Sequence, residues 1–181
     1  MLTTRVRDSP YKKRLSTLEE GAKVNVRGPE GQFVLHQDYS KPAVFLSGGI
    51  GVTPFRSMVK YATDKQLPLR ITMFDSNKSR GDILFKNEFD GWADTNKNLN
   101  IVYTVSEDQK EQSLSATNAW KGEYGRIDKA MILRHMDYGA INNSIFYVCG
   151  PPGMLKAMQS MLQEDMGIPK ERVKVEEFTG Y

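Results

Sequence analysis

Hydrophobic and polar positions follow two different patterns along this chain, and the pattern changes near residue 40. Before that point short β-like runs alternate with turns, which predicts strands at Leu2–Arg7, Lys23–Arg27 and Gln32–His36. A short basic helix is predicted at Tyr11–Leu18. Three short antiparallel strands are an incomplete unit, because a small closed barrel needs about five or six. Residues 1–39 are therefore expected to form part of an antiparallel β-barrel.

From residue 40 onwards, strands and helices alternate. The predicted strands are Ala43–Ser47, Arg70–Phe74, Asn100–Val105, Ile145–Cys149 and Arg172–Val175. The predicted helices are Pro54–Thr63, Ile83–Trp92, Asp128–Met136 and Met154–Met166. Repeated β-α units of this length predict an α/β fold, a parallel five-stranded sheet with helices on both faces. Residues 40–181 are expected to form this second unit and to bind ligands at the carboxyl ends of its strands.

Composition and charge exclude several classes of protein. The 181 residues are 39% hydrophobic and 26% charged, which is typical of a globular protein. The net charge of +3 is too mild to indicate nucleic-acid binding. A single cysteine excludes an intrachain disulfide and a four-thiolate iron–sulfur cluster. No apolar run approaches the roughly 18 residues that span a bilayer, and no signal peptide opens the chain, so a cytoplasmic protein is expected.

The first candidate motif is the glycine-rich turn SGGIGVTP, which runs from Ser47 to Pro54 after a buried strand. Glycines let the backbone turn sharply and approach a ligand closely, and the following helix N-terminus suits a diphosphate. Taken alone, the motif is equally typical of a tight connection without function. Pro54 also stands where the ordinary dinucleotide fingerprint has its third glycine. Asp75, which ends the next predicted strand, is interpreted as a strand-end cap.

A second turn of the same kind, VCGPPGM, runs from Val148 to Met154 after the fourth predicted strand. Its prolines stiffen the turn, and its glycines again leave space for a ligand. Cys149 is the last strand residue before this turn, so its thiol could face the same cleft as the first turn. The alternative is that Cys149 is a small buried hydrophobic residue, as lone cysteines usually are.

Together, GGIGVTP, VCGPPGM and the tail VEEFTGY resemble the ferredoxin–NADP reductase family of flavoenzymes. The resemblance covers residues 40–181, and the segments RVRDSPYKKRL and GPEGQFVL resemble the last part of that family's flavin-binding barrel. It implies a reductase in which NAD(P)H gives a hydride to FAD. The flavin would then pass single electrons to a protein acceptor such as a ferredoxin, a haem protein or an oxygenase component.

The resemblance also implies roles for individual residues. Gly49 and Gly51 would line the cofactor diphosphate, Thr53 would contact the nicotinamide or the flavin edge, and Cys149 would lie beside the nicotinamide C4. Glu176 matches a carboxylate that hydrogen-bonds near the flavin. The other implied residues of the cofactor site are Gly48, Pro54, Gly150, Pro151, Gly153 and Met154. Phe178 matches the family's C-terminal aromatic residue, which stacks on the flavin, and Tyr181 could compete for that role. Hydride transfer needs little acid–base chemistry, so no catalytic Ser-His-Asp set is required. His36 and His135 lie in unrelated contexts and are interpreted as surface or satisfied residues.

Flavin binding stays open at this point, because the family's Arg-x-Tyr-Ser-type segment, which holds the flavin, is absent. Tyr11 and Lys12 match a second flavin-phosphate segment, although a solvated helix face is the alternative. Either the chain is a fragment, or a partner strand completes the barrel. An open barrel edge favours pairing with another chain, so self-association is expected.

The choice of nucleotide is open as well. Relatives that use NADPH carry Ser-Arg after the third strand, whereas here Ser106 is followed by Glu107 and Asp108. Two carboxylates would repel a 2′-phosphate, which favours NADH, although Lys110 and Arg126 could partly compensate. Tyr124 could contact the adenine, or it could belong to a plain turn.

Two functions from different classes remain. The first is the flavin-dependent NAD(P)H reductase, or its nicotinamide half. The second is a non-catalytic nucleotide-binding regulatory or interaction module that has lost flavin binding. The absent flavin segment favours the module, and the retained Thr53, Cys149, Glu176 and Phe178 favour the reductase.

Overall fold

Six parallel strands form one sheet in the computed structural model, which describes residues 3–4, 6, 8–28, 30–107 and 120–177. The strands are β1 (Ala43–Gly48), β2 (Ile71–Asn77), β3 (Leu99–Val105), β4 (Glu123–Tyr124), β5 (Ile145–Gly150) and β6 (Val173–Glu177). Their order across the sheet is β4-β3-β2-β1-β5-β6. The predicted α/β fold is confirmed. The five expected strands are all present, and the two-residue β4 makes a sixth.

The helices lie close to their predicted positions, with shifted ends. They are α1 (Pro10–Ser16), α2 (Val52–Asp64), α3 (Lys86–Thr95), α4 (Lys129–His135), α5 (Tyr138–Asn143) and α6 (Pro152–Ser160). As predicted, Asp128 caps α4, because its side chain accepts a hydrogen bond from the backbone N–H of Met131 at 2.7 Å. The sequence pattern did not predict α5. The predicted helix that reaches Met166 ends its α-helical part at Ser160 and continues as a π turn over Met161–Asp165.

Both faces of the sheet are covered, which explains why β1 and β5 read as continuous apolar runs. All six residues of each strand are buried. Along β1, alternate side chains enter two different cores: Phe45 packs with α2 and α3 on one face, and Leu46 packs with α4 and α6 on the other. In the part of the chain that the structure describes, no helix is long and apolar enough to cross a membrane.

The strands predicted before residue 40 are wrong where the structure describes them. Neither Lys23–Arg27 nor Gln32–His36 forms a strand, and half of Leu2–Arg7 lies outside the described residues. The alternating apolar side chains Val24 and Val26 are 59% and 87% exposed, so they have no surface to pack against. A short strand is stable only when neighbouring strands complete its hydrogen bonds and cover its apolar face. The division of the chain into residues 1–39 and 40–181 remains a prediction.

The last part of this N-terminal segment is nevertheless attached to the sheet. Phe33 packs against Phe55 and Tyr147, with ring centroids 5.8 and 5.6 Å apart. The hydroxyl of Tyr147 accepts a hydrogen bond from the backbone N–H of His36 at 2.8 Å and lies 2.9 Å from its Nδ1. The other ring nitrogen of His36 lies 2.8 Å from the carbonyl oxygen of Lys41. His36 therefore has partners on both ring nitrogens, as expected for a satisfied residue.

Candidate nucleotide-binding site

The two glycine-rich turns leave the sheet from adjacent strands. From β1 the chain builds β2 and β3 on one side, and it later adds β5 and β6 on the other side of β1. The carboxyl ends of β1 and β5 therefore lie at the point where the strand order reverses, and Ser47 of β1 is paired with Cys149 of β5. Open α/β sheets bind their ligands in the crevice at such a point.

The first turn lies directly against the backbone of the second. A Cβ atom on Gly51 would clash with the carbonyl oxygen of Cys149 and would lie 2.7 Å from the backbone nitrogen of Gly150. These are backbone atoms of a buried strand, so they cannot rotate away as the end of a side chain could. Glycine is required at residue 51 because the two turns touch there.

Met154 closes the contact between the turns from the side of the second one. A Cβ on Gly48 would clash with the sulfur of Met154 and would lie 3.3 Å from Cδ of Pro151. A Cβ on Gly150 would lie 2.9 Å from the same sulfur and 3.5 Å from Cα of Gly48. The glycines of both turns therefore face one another across a small gap that the Met154 side chain fills.

Each turn leads into a helix whose first turn carries no acidic side chain. In α2, Thr53 and Pro54 are the second and third residues, which corrects the prediction that Pro54 is the first. A proline is still tolerated there, because the N–H groups of the first helical turn have no partner within the helix. Pro152 opens α6 in the same way. Two helix N-termini at one edge of the sheet form an environment that favours an anion.

Cys149 is fully buried, and burial raises the pKa of its thiol to about 12, with a smaller contribution from the charge of Glu176. The thiol is therefore neutral at physiological pH and is a poor nucleophile. Glu176 is paired with Cys149 across β5 and β6 and is half-buried, as is Thr53 on α2. Phe178 and Tyr181 lie outside the described residues.

Further along the same edge, the ends of β2, β3 and β4 are joined. The backbone N–H of Ser106 donates to the carbonyl oxygen of Asn77 at 3.0 Å. The Tyr124 hydroxyl accepts a hydrogen bond from the guanidinium of Arg80 at 3.3 Å, and that guanidinium stacks over the Trp120 ring at 5.3 Å. Ser106 and Tyr124 thus lie on the same edge as the glycine turns, two and three strands away from β1.

Tyr11 and Lys12 are not brought to this edge. They lie on α1, a helix with no buried residue and no member in either core, and Tyr11 is 70% exposed. Their contact with a flavin phosphate stays a prediction.

Sequence reasoning missed the buried polar group beside the first turn. The prediction that Asp75 is a strand-end cap is wrong, because Asp75 lies inside β2 with no exposed surface. Its carboxylate accepts hydrogen bonds from the Ser47 hydroxyl at 2.5 Å and from the Asn77 amide at 2.9 Å. Burial raises the pKa of Asp75 to about 6, although both hydrogen bonds oppose the shift. The available signal was a carboxylate directly after the apolar residues Met73 and Phe74, since such groups are almost never fully buried unless paired.

Comparison with known proteins gives results that agree with this geometry. A family model described as "Oxidoreductase NAD-binding domain" matches residues 45–160. The chain is 29% identical over 170 residues to one component of the Na⁺-translocating NADH-quinone reductase of Idiomarina loihiensis, covering 91% of this chain and 39% of that protein. It is 30% identical over 162 residues to NADH-cytochrome b5 reductase 1 of Mortierella alpina, covering 87% of this chain and 50% of that protein.

Among solved structures, the cytochrome b5 reductase domain of Ulva prolifera nitrate reductase matches with a TM-score of 0.71 and 27% identity. That match covers 94% of this chain and 66% of the other. The chain therefore spans between about two fifths and two thirds of the length of these three proteins.

Proposed function

Since the chain belongs to the oxidoreductase NAD-binding domain family of ferredoxin reductase-type proteins, we propose that it is a flavin-dependent NAD(P)H oxidoreductase, or the nicotinamide half of one. The family expected from the two glycine turns is thereby confirmed. In the proposed reaction, electrons pass from NAD(P)H through FAD to a protein acceptor. A ferredoxin, a haem protein and an oxygenase component are the candidate acceptors.

One observation carries this proposal: the glycine turns after β1 and β5 touch at the point where the strand order reverses. A dinucleotide needs a surface that its diphosphate can approach closely, and glycine backbone beside two helix N-termini supplies one. The ends of β3 and β4 extend the same edge, so the adenosine half would lie towards Ser106 and Tyr124. An extended ligand along the strand ends fits this arrangement.

Within this site, the residues of the chain position the nucleotide and take no part in bond-making. Gly49 and Gly51 would hold the diphosphate, and Thr53 would border the nicotinamide ring near Cys149, whose neutral thiol is buried in the core. Gly150, Pro151, Gly153 and Met154 would shape that pocket. Hydride transfer requires the donor and acceptor carbons to lie about 3–3.5 Å apart, so the contribution of the protein is orientation and exclusion of water.

The described residues fit NAD(H) better than they fit FAD. When bound, FAD would accept the hydride and release electrons one at a time. Tyr11 and Lys12 lie on a helix that buries no side chain, and the described residues between 8 and 36 form no strand, so they build no cradle for a flavin. The roles of Glu176, Phe178 and Tyr181 near a flavin remain proposals.

We propose NADH as the preferred nucleotide. Glu107 stands at the carboxyl end of β3, where its carboxylate pairs with Lys78 at 3.1 Å and would repel a 2′-phosphate. Glu107→Arg should raise the affinity for NADPH relative to that for NADH, measured by isothermal titration of both nucleotides. Glu164→Arg, on the π turn that follows α6, serves as the matched control for the change of charge. An unchanged ratio of the two affinities would argue against this choice.

The remaining proposals concern the setting of the protein. A cytoplasmic location suits a chain with one buried cysteine and a reduced nucleotide substrate. Self-association through the segment before β1 would bury exposed apolar residues such as Val24 and Val26. Sedimentation of the purified protein over a range of concentrations tests this association, and a monomer at every concentration would contradict it.

A second function is favoured by the absence of strands in the described residues before β1, namely a nucleotide-binding regulatory or interaction module without flavin chemistry. Visible absorbance separates the two. Protein that carries or takes up FAD, and whose yellow band is bleached by NADH, supports the reductase. Protein that binds NADH by calorimetry but stays colourless after incubation with FAD supports the module.

A further inference from the structure

A row of polar side chains crosses one face of the sheet at the level of the glycine turns. In order across the strands, it consists of Glu176, Cys149, Ser47, Asp75 and Tyr103, each paired in register with the next. Neighbouring parallel strands lie about 4.8 Å apart, so Asp75 is about 10 Å from Cys149. The row therefore places one buried carboxyl group two strands away from the thiol at the proposed nicotinamide position.

The carboxylate of Asp75 has hydrogen-bond partners but no counter-charge. Ser47 and Asn77 donate one hydrogen bond each, to different oxygens of the carboxylate. Among the described residues, no cationic side chain forms an ion pair with Asp75. The Asn77 Oδ1 atom is buried and has no partner. If Asp75 took up a proton, the Asn77 amide could rotate so that this oxygen accepts a hydrogen bond from the protonated carboxyl group. Both charge states of Asp75 can therefore be accommodated locally.

The titratable groups around Asp75 do not compensate its charge. Tyr103 on β3 is neutral, because burial and a hydrogen bond to Asp90 raise its pKa further above the ordinary value. Cys149 on β5 is neutral as well, and Glu176 on β6, next to Cys149 in the row, is a second carboxyl group and not a cation. Asp90 on α3 is already engaged by Lys86, and α2 contributes apolar side chains to this face. The negative charge of Asp75 is therefore balanced by none of these neighbours.

A single buried charge distinguishes the two forms of the nucleotide. NAD⁺ and NADH share the adenosine, the ribose and the diphosphate, and they differ by one positive charge on the nicotinamide ring. Repulsion between a carboxylate and the diphosphate is the same for both and cancels in the ratio of their affinities. The attraction between the carboxylate and the cationic ring remains. At a separation of about 10 Å and an effective dielectric constant of about 20, it raises the affinity for NAD⁺ relative to NADH roughly tenfold.

We propose that Asp75 is a specificity-determining residue that favours the oxidised, cationic nicotinamide over the reduced, neutral one. This inference rests on the proposed function, because it needs the nicotinamide ring beside Cys149. Asp75 touches neither the ring nor the thiol, so it acts through its electric field in a water-poor layer. The same field would stabilise the positive charge that develops on the ring as its hydride leaves.

The test is the ratio of NAD⁺ affinity to NADH affinity, measured by isothermal titration at pH 7.5 and at pH 5.5. In the unaltered protein this ratio should fall severalfold at the lower pH, because Asp75 becomes protonated. Asp75→Asn should lower the ratio about tenfold at pH 7.5 and abolish its dependence on pH. Asp64→Asn, which removes a surface carboxylate at the far end of α2, is the matched control and should leave the ratio unchanged.

Ser47→Ala is the second variant. It keeps the carboxylate but removes a hydrogen bond that lowers the pKa of Asp75. The midpoint at which the affinity ratio changes should therefore move to higher pH. The pH dependence of the unaltered protein and of Ser47→Ala tests the proposal even if Asp75→Asn does not fold.

The outcomes separate this inference from the function on which it rests. If Asp75→Asn weakens both nucleotides equally, Asp75 has a structural role only and the inference is overturned. A ratio that does not change with pH in the unaltered protein overturns it as well. If neither nucleotide binds the unaltered protein, the proposed function itself fails.

Discussion

Replacing Gly51 with alanine tests whether the two glycine turns meet as closely as the structure shows. The added Cβ would clash with the carbonyl oxygen of Cys149. It would also lie 2.5 Å from the carbonyl carbon of Cys149 and 2.7 Å from the backbone nitrogen of Gly150. Ordinary contacts at a Cβ begin at about 3.4 Å, so β5 and the first turn must separate by about 1 Å. Overpacking of this kind costs about 1–3 kcal/mol.

Thermal unfolding is the assay for stability. In a chain of this size, 1 kcal/mol shifts the melting temperature by about 2–4 °C, so a loss near 2 kcal/mol predicts a decrease of about 4–8 °C. The NADH affinity of Gly51→Ala should fall together with its melting temperature. Displacing the backbone of the first turn by about 1 Å would misplace the groups that bind the nucleotide, and a shift of that size can reduce function by up to 10²-fold.

Gly91→Ala is the control for this variant. Gly91 lies within α3, and its added Cβ would meet no atom within 4 Å. An alanine inside a helix should stabilise the protein by about 0.5–1 kcal/mol and leave NADH affinity unchanged. A Gly51→Ala protein with the melting temperature and NADH affinity of the unaltered chain would refute the close contact of the turns.

Three further predictions follow from buried groups. Asp75 has a raised pKa of about 6 in the folded chain against 3.8 when unfolded, so the folded state binds the proton more tightly and stability falls as pH rises between these values. The stability of Asp75→Asn relative to the unaltered protein should therefore increase by about 2 kcal/mol from pH 4 to pH 7.5 in urea titrations, and a constant difference would contradict this. Cys149, with a thiol pKa raised to about 12, should react with a thiol reagent at pH 8 roughly 10³-fold more slowly than a free cysteine, and rapid labelling of the folded protein would show an exposed thiol. Tyr147→Phe removes the hydroxyl that binds His36 and should cost about 1–2 kcal/mol, with faster hydrogen exchange at the His36 amide. Tyr138→Phe, on the exposed surface of α5, should change neither quantity.

The sheet could be predicted from the sequence because its central strands are buried on both faces. Such strands read as continuous apolar runs, and AVFLSG and IFYVCG both end in glycine. The local signals for a turn and for a helix start follow directly, so β1, β5 and their turns were placed within two residues. The two-residue β4 has no such signal, because a strand of that length carries no pattern.

The polar group around Asp75 could not be predicted, because it depends on register. Ser47 and Asp75 are 28 residues apart in the chain and meet only because β1 and β2 pair in one particular alignment. The strands predicted before residue 40 are wrong for the opposite reason: a local pattern is present, but the long-range pairing is not. Their local alternation is real, but a strand requires partners, and the described residues supply none for Lys23–Arg27.

The most direct test of the central claim is a titration of the isotopically labelled protein with NADH, followed through its backbone amide resonances. One crevice shared by both turns predicts that the amides of residues 49–53 and those of residues 150 and 153–154 shift together, with one dissociation constant. The amides of α1 and α5 should stay unchanged. Shifts confined to one turn, or to a surface away from the carboxyl ends of β1 and β5, would contradict a shared nucleotide site.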